Sequence, residues 1–164
     1  MMHLNAYNIM RRNIILKIKK IVDGDGIIAE DFSTKKEFEV RLYGIDAPEM
    51  KYCDKLKKDE KELHLPAALL IKLGYLSFEF LKSNVTIGEK CTLVQEENNH
   101  FDKYGRFLGY LMLSDGSSLN EIMIKKGYAK PYADVFCENL PFYQKWNLSA
   151  KKASKGLYKI VDNF

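Results

Sequence analysis

Across residues 13–22 apolar and polar positions alternate, with Ile14, Leu16 and Ile18 on one face and Ile15, Lys17 and Lys19 on the other. That is the two-residue period of a strand with one buried face. The Asp23-Gly24-Asp25-Gly26 turn ends it, and residues 27–31 predict a second strand. Residues 35–43 predict a third, with Phe38, Val40 and Leu42 on one side and Glu37, Glu39 and Arg41 on the other. Arg41 is thereby carried on a rigid element, away from the apolar stripe. Residues 90–96 and 106–113 supply a fourth and a fifth strand, separated by the polar segment 97–105.

Helical spacing appears in three places. Pro66 suits a first turn, and Leu69, Leu73, Leu76 and Phe80 then recur three or four apart up to about Ser83. Ser118 and Glu121 have capping-box spacing, opening a short helix with Leu119, Ile122 and Met123 inward and Gly127 at its end. The last helix begins near Pro141, sets Tyr143, Trp146, Ala150 and Ala153 on one side and stops at Gly156. Residues 50–64 hold five lysines and four acids whose signs nearly cancel, which predicts a solvated loop able to close over a substrate.

Five short strands, one helix inserted after the third and two more at the end describe an α+β domain. A partly open Greek-key barrel of the OB type is the natural way to close five strands. No repeat, low-complexity tract or long linker divides the 164 residues, so one domain over 1–164 is expected, with its core at about 14–158. The 46% hydrophobic and 12% aromatic content is enough to fill a single core.

Charge and chemistry narrow the function. Lys and Arg outnumber Asp and Glu by 26 to 22, a balance that suits a polyanionic partner without requiring one. Cys53, Cys91 and Cys137 are far apart and form no CxxC pair, so free thiols are expected. His3, His64 and His100 are equally scattered, which argues against a histidine-ligated transition metal. No apolar run approaches the length of a membrane span, and the lysines at 17, 19 and 20 break any secretory core. The chain as given therefore reads as a cytoplasmic monomer, or as a secreted one if an upstream signal has been removed.

Three motifs carry candidate chemistry. Asp23-Gly24-Asp25-Gly26 alone is a common hairpin turn, and it is no EF-hand, because Ile27 and Thr34 stand where ligands five and twelve belong. Asp46-Ala47-Pro48-Glu49 follows the third strand, and Arg41 beside it makes a charged site of what would otherwise be an acidic turn. In Asp102-Lys103-Tyr104-Gly105-Arg106 an aromatic ring stands beside two cations, which suits a base stacked near its phosphate. Two arginines with clustered carboxylates are what metal-assisted phosphodiester cleavage requires. Carboxylates hold a hard cation and position water, and guanidiniums neutralise charge on the phosphoryl oxygens.

The order Asp-Gly-Asp, Arg-Leu-x-Gly-Ile-Asp-Ala-Pro-Glu, Asp-Lys-Tyr-Gly-Arg, Leu-Asn-Glu and Gly-x-Ala-Lys resembles the staphylococcal nuclease (thermonuclease) family over about residues 14–158. The resemblance implies an OB-fold barrel with three helices and calcium-dependent hydrolysis of DNA and RNA, single strands preferred, leaving 3'-phosphates. It places Asp25 and Asp46 as calcium carboxylates and Ala47 as the donor of a backbone carbonyl. Glu49 matches the acid that acts on the attacking water, Arg41 and Arg106 the phosphate-binding arginines, and Tyr104 a tyrosine lining the nucleotide site. Tyr132 aligns with a second such tyrosine only after a one-residue slip and is left out of the expected site. Gly26 stands where a threonine is usual, which removes a hydroxyl near the metal and is expected to lower calcium affinity. The rival is a catalytically silent OB module that binds nucleic acid or a protein. Such a module has no physical need for Arg41, Glu49 and Arg106 together.

Overall fold

The computed structural model describes residues 11–164, so His3 lies outside the described residues. In chain order the elements are β1 (Arg12–Asp23), β2 (Gly26–Asp31), β3 (Glu37–Leu42), β4 (Ile45–Asp46), α1 (Asp54–Leu63) and α2 (Ala67–Ser83). Then follow β5 (Lys90–Gln95), β6 (Phe107–Met112), α3 (Leu119–Lys125), β7 (Lys130–Pro131), α4 (Leu140–Lys152) and a 3-10 turn at Gly156–Lys159.

The five expected strands all form, and hydrogen bonds close them into a barrel in the order β1-β2-β3-β6-β5. All pairs are antiparallel except β3 with β6, which run parallel. The alternation of β1 buries Leu16 and Ile18 completely while leaving Ile15 41% exposed on the polar face. Register shifts after Ile18 and after Ile21 then bend the strand, and Ile21 joins the buried set out of phase with the first two, as a bulge permits. Val40 and Leu42 of β3 face the same core, so Arg41 between them faces outward. The α+β, five-stranded OB-type reading therefore holds.

The helix count does not: among the described residues four α-helices form where three are expected. Residues 50–64, read as a solvated loop, contain α1. Leu56 is its buried residue, packed with Leu70 and Leu73 of α2. Its charges sit at helical spacing, with Lys55–Asp59 and Lys58–Glu62 four apart and Lys57–Asp54 three apart. Such pairs contribute only a few tenths of a kcal/mol each, so the burial of Leu56 against α2 is what anchors α1. Helix α2 also differs in its buried face, which runs through Leu70, Leu73, Gly74, Ser77 and Leu81 rather than through Leu69, Leu76 and Phe80. Leu69 and Leu76 flank that face on the side of α1 and the C-terminal turn, and Phe80 flanks it on the barrel side, stacked on Tyr128 at 4.0 Å. Among the described residues no single helix is long and apolar enough to cross a membrane.

Ser118 caps α3 by accepting the Glu121 amide, as the capping-box spacing predicts. Asn120, two residues after Ser118, is fully buried. Its Nδ2 donates to Tyr43 O at 2.9 Å and Gly109 O at 3.2 Å, and its Oδ1 accepts from Leu111 N at 2.9 Å. One side chain thus pins β6 to the segment that joins Arg41 to Asp46. Asn120→Ala removes the side-chain partner of Tyr43 O and Leu111 N, while Gly109 O keeps the Tyr43 amide at 2.9 Å, and is expected to cost on the order of 2–3 kcal/mol. Urea unfolding of the variant checks this, and a loss under about 1 kcal/mol contradicts the pinning role.

Candidate active site

Three stretches between residues 23 and 49 meet outside the barrel wall. The β1–β2 turn brings Asp23 and Asp25, the end of β3 brings Arg41, and β4 with the loop after it brings Asp46, Ala47 and Glu49. Two glycines let them approach. A Cβ on Gly24 would fall 2.6 Å from Ala47 Cβ and 2.7 Å from Ser77 Cβ, and one on Gly74 would fall 2.5 Å from Glu49 O. Helix α2 is therefore the floor on which the turn and the acidic loop both rest. Gly26 has its own local reason: a side chain there would sit 3.0 Å from Asp23 Oδ1, the oxygen that accepts the Asp25 amide at 3.1 Å.

Arg41 is the hub. Its NH2 lies 3.3 Å from Asp25 Oδ2 and 3.5 Å from Asp46 Oδ1, and its NH1 donates to Leu42 O at 3.0 Å. Asp25 Oδ2 also accepts the Ala47 amide at 2.8 Å, which ties the turn to the acidic loop. Lys55 of α1 closes the other side, 3.3 Å from Asp46 Oδ2, 3.5 Å from Glu49 Oε1 and 3.1 Å from Asp59 Oδ2. Lys55 was not a candidate in the sequence. The signal that could have found it is the Lys55–Asp59 spacing, which makes sense only on a helix.

The opposite wall comes from the β5–β6 connection. Asp102 accepts the Tyr104 and Arg106 amides at 2.9 Å each and the Arg106 Nε at 2.6 Å, so the loop holds its own arginine. Those bonds keep the Asp102 carboxyl below the usual range despite the burial that opposes them. Tyr104 is 72% exposed with the Arg106 guanidinium 5.6 Å from its ring centre. Tyr104, Arg106, Arg41, Asp25, Asp46 and Glu49 all line one open cleft of about 1450 Å³. That exceeds a small-molecule pocket and suits an extended chain. Tyr132, set aside in the sequence, lines the same cleft with its ring centre 6.0 Å from the Arg41 guanidinium carbon. Ala47 is buried, with its amide donated to Asp25 Oδ2. The three cysteines are free, with Cys91 and Cys137 buried and Cys53 partly so.

Burial dominates the electrostatics. It pushes Asp25 from 3.8 up to about 6, with Arg41 opposing the shift and Asp23 reinforcing it. Burial raises Asp46 and Glu49 as well, against the pull of Lys55. Arg41 and Lys55 are themselves held above their ordinary values, because the carboxylates around each outweigh the burial that disfavours their charge. The folded protein consequently binds a proton at Asp25 that the unfolded chain has already released. Keeping Asp25 ionised at neutral pH withholds on the order of 3 kcal/mol, which returns progressively as pH falls from about 6 towards 3.8. The protein is expected to gain stability from pH 7 to pH 5 in urea melts, and Asp25→Asn to flatten that slope. A stability that falls over this window contradicts the assignment.

The family model for "Staphylococcal nuclease homologue" matches residues 39–160, about three-quarters of the chain. That range takes in Arg41, Asp46, Ala47, Glu49, Tyr104 and Arg106, and leaves Asp25 before its start. Endonuclease YhcR of Bacillus subtilis (strain 168) is 31% identical over 150 residues, 88% of this chain and 11% of that protein. An uncharacterized endonuclease of Escherichia coli O157:H7 is 29% identical over 147 residues, 89% of this chain and 78% of that protein. Protein MJ1439 of Methanocaldococcus jannaschii is 28% identical over 130 residues, 73% of this chain and 60% of that protein. The chain thus spans about a tenth of YhcR and more than half of the other two. With three-quarters of its length matched by one family model, this chain belongs to the staphylococcal nuclease homologue family.

Proposed function

We propose that the protein is a calcium-dependent nuclease that hydrolyses phosphodiester bonds of DNA and RNA, single strands preferred, breaking the bond to the 5' oxygen and leaving a 3'-phosphate. The observation that carries this reading is the convergence of Arg41, Asp25, Asp46 and Glu49 on one side of a cleft whose other side presents Arg106 and Tyr104. Family membership and the endonuclease names of two relatives support it.

The donor set fits a hard divalent cation. Asp25 and Asp46 offer buried carboxylate oxygens, and Asp23, Asp25, Asp46 and Glu49 surround Arg41 with more negative charge than Arg41 and Lys55 balance. Among the described residues no three His, Cys, Asp or Glu side chains gather as a ready metal cage. By the family resemblance, Asp25, Asp46 and the Ala47 carbonyl would hold calcium together with water, a mixed oxygen set that this ion accepts. When bound, calcium supplies positive charge to a non-bridging phosphate oxygen.

The remaining chemistry belongs to side chains. Glu49, one-third exposed at the cleft, takes a proton from the attacking water as the new P–O bond forms. Arg41 and Arg106 neutralise the charge that accumulates on the equatorial oxygens of five-coordinate phosphorus, where preorganised donors act most strongly. The 5' oxygen then leaves with its electron pair and takes a proton from solvent. Tyr104 offers a ring for a base beside the scissile phosphate. End-group analysis of a digested oligonucleotide tests the bond assignment. Products carrying a 3'-phosphate and a 5'-hydroxyl are expected, and 5'-phosphate products contradict it.

A further inference from the structure

Both oxygens of Asp46 are already in use. Oδ1 faces Arg41 NH2 at 3.5 Å and Oδ2 faces Lys55 Nζ at 3.3 Å, while the side chain is only 8% exposed. A divalent cation approaching Asp46 thus meets a protein cation on either oxygen. The two are not equally able to yield. Arg41 is 13% exposed, sits on β3 and is tied to Leu42 O and Asp25 as well. Lys55 is 35% exposed, ends a flexible four-carbon stem, and has a second partner on its own helix in Asp59, the nearest of its three carboxylates at 3.1 Å.

We infer that Lys55 is a resident counter-cation that holds Asp46 and Glu49 in the ion-free protein and withdraws to Asp59 when a divalent cation enters. The inference rests on the reading that Asp46 binds that cation. It makes Lys55 a positioning residue with two consequences. It sets the calcium concentration the site demands, because the ion must outcompete an amine already in place. It also couples ion entry to the freeing of Glu49, whose Oε1 lies 3.5 Å from the same Nζ. Asp59 is the docking point that makes withdrawal possible without casting a bare ammonium into the cleft.

Calorimetric titration with calcium chloride tests this without reference to turnover. Lys55→Met is expected to bind calcium about tenfold tighter than the parent, since two like charges a few ångströms apart in a partly buried site repel strongly. Lys58→Met serves as control, because Lys58 lines the same cleft but pairs with Glu62. It is expected to change affinity less than about twofold, the effect of a screened charge at the surface. Should Lys55→Met fold poorly, Asp59→Asn gives the opposite sign: Lys55 loses its alternative partner and calcium binds more weakly, whereas Glu62→Gln leaves it near the parent value. Unchanged or weaker binding in folded Lys55→Met, or a Lys58→Met effect as large, overturns the inference while leaving the metal site intact. A parent protein that binds no calcium overturns both.

Discussion

Arg41→Lys and Arg106→Lys are each expected to lower turnover by at least about a hundredfold, the scale seen when one preorganised oxyanion donor is lost, and to do so much more than they weaken calcium binding. The charge survives either change, but the planar two-pronged contact does not. Arg106 directs its Nε to Asp102 Oδ2, which fixes the plane of a guanidinium that lines the cleft with NH1 3.9 Å from Glu39 Oε1. A lysine has no equivalent of that fixed fork. Arg41 is more deeply embedded, since its NH2 bridges Asp25 and Asp46 while NH1 is held by Leu42 O. A lysine there can reach one carboxylate at a time, so Arg41→Lys also loosens the spacing of the two acids. Steady-state kinetics with circular dichroism to confirm folding checks both. A loss under tenfold at either position reduces that arginine to a surface role.

Glu49→Gln and Asp46→Asn are expected to fail in different ways. Asp46 is nearly buried, bracketed by two cations, and assigned to the metal, so its amide raises the calcium concentration needed for activity and saturating calcium recovers part of the turnover. Glu49 is partly open to the cleft and assigned to the water, so its amide keeps near-normal calcium dependence while turnover stays low at any concentration. Calcium titrations of activity for the two variants separate the cases. Rescue of Glu49→Gln by excess calcium, with none for Asp46→Asn, exchanges the two roles.

The strands were legible because a barrel wall imposes one rule along its length. Leu16 and Ile18, or Val40 and Leu42, must alternate with polar neighbours, and the sequence carries that period openly. Helix α1 obeys no such rule. It buries Leu56 alone, so its apolar signal is one residue, and its lysines and acids look like a solvated loop until their spacing is read as i to i+4 pairs. The two-residue strands β4 and β7 pair only with each other, between Ile45 and Pro131 and between Asp46 and Lys130, and no periodicity exists over such lengths. The same division runs through the site. Asp25, Arg41, Asp46, Glu49 and Arg106 stand in motifs with a fixed order, whereas Lys55 depends on α1 forming and Tyr132 on the β4–β7 pairing that carries Tyr132 N to Gly44 O at 2.9 Å. Gly74 and Asn120 were invisible as site elements. Their work is to place the backbone of Glu49 and of Tyr43, and contacts of that kind leave no trace in local pattern.

The most direct test is to incubate the pure protein with end-labelled single-stranded DNA and RNA, in millimolar-scale calcium and in excess chelator, and to resolve the products on a gel. Both strands are expected to be cut in calcium, faster than duplex, and to survive intact in chelator. Cleavage undiminished by chelator contradicts the metal-dependent account, and intact strands under every divalent ion, with binding retained, make the protein a silent OB module instead.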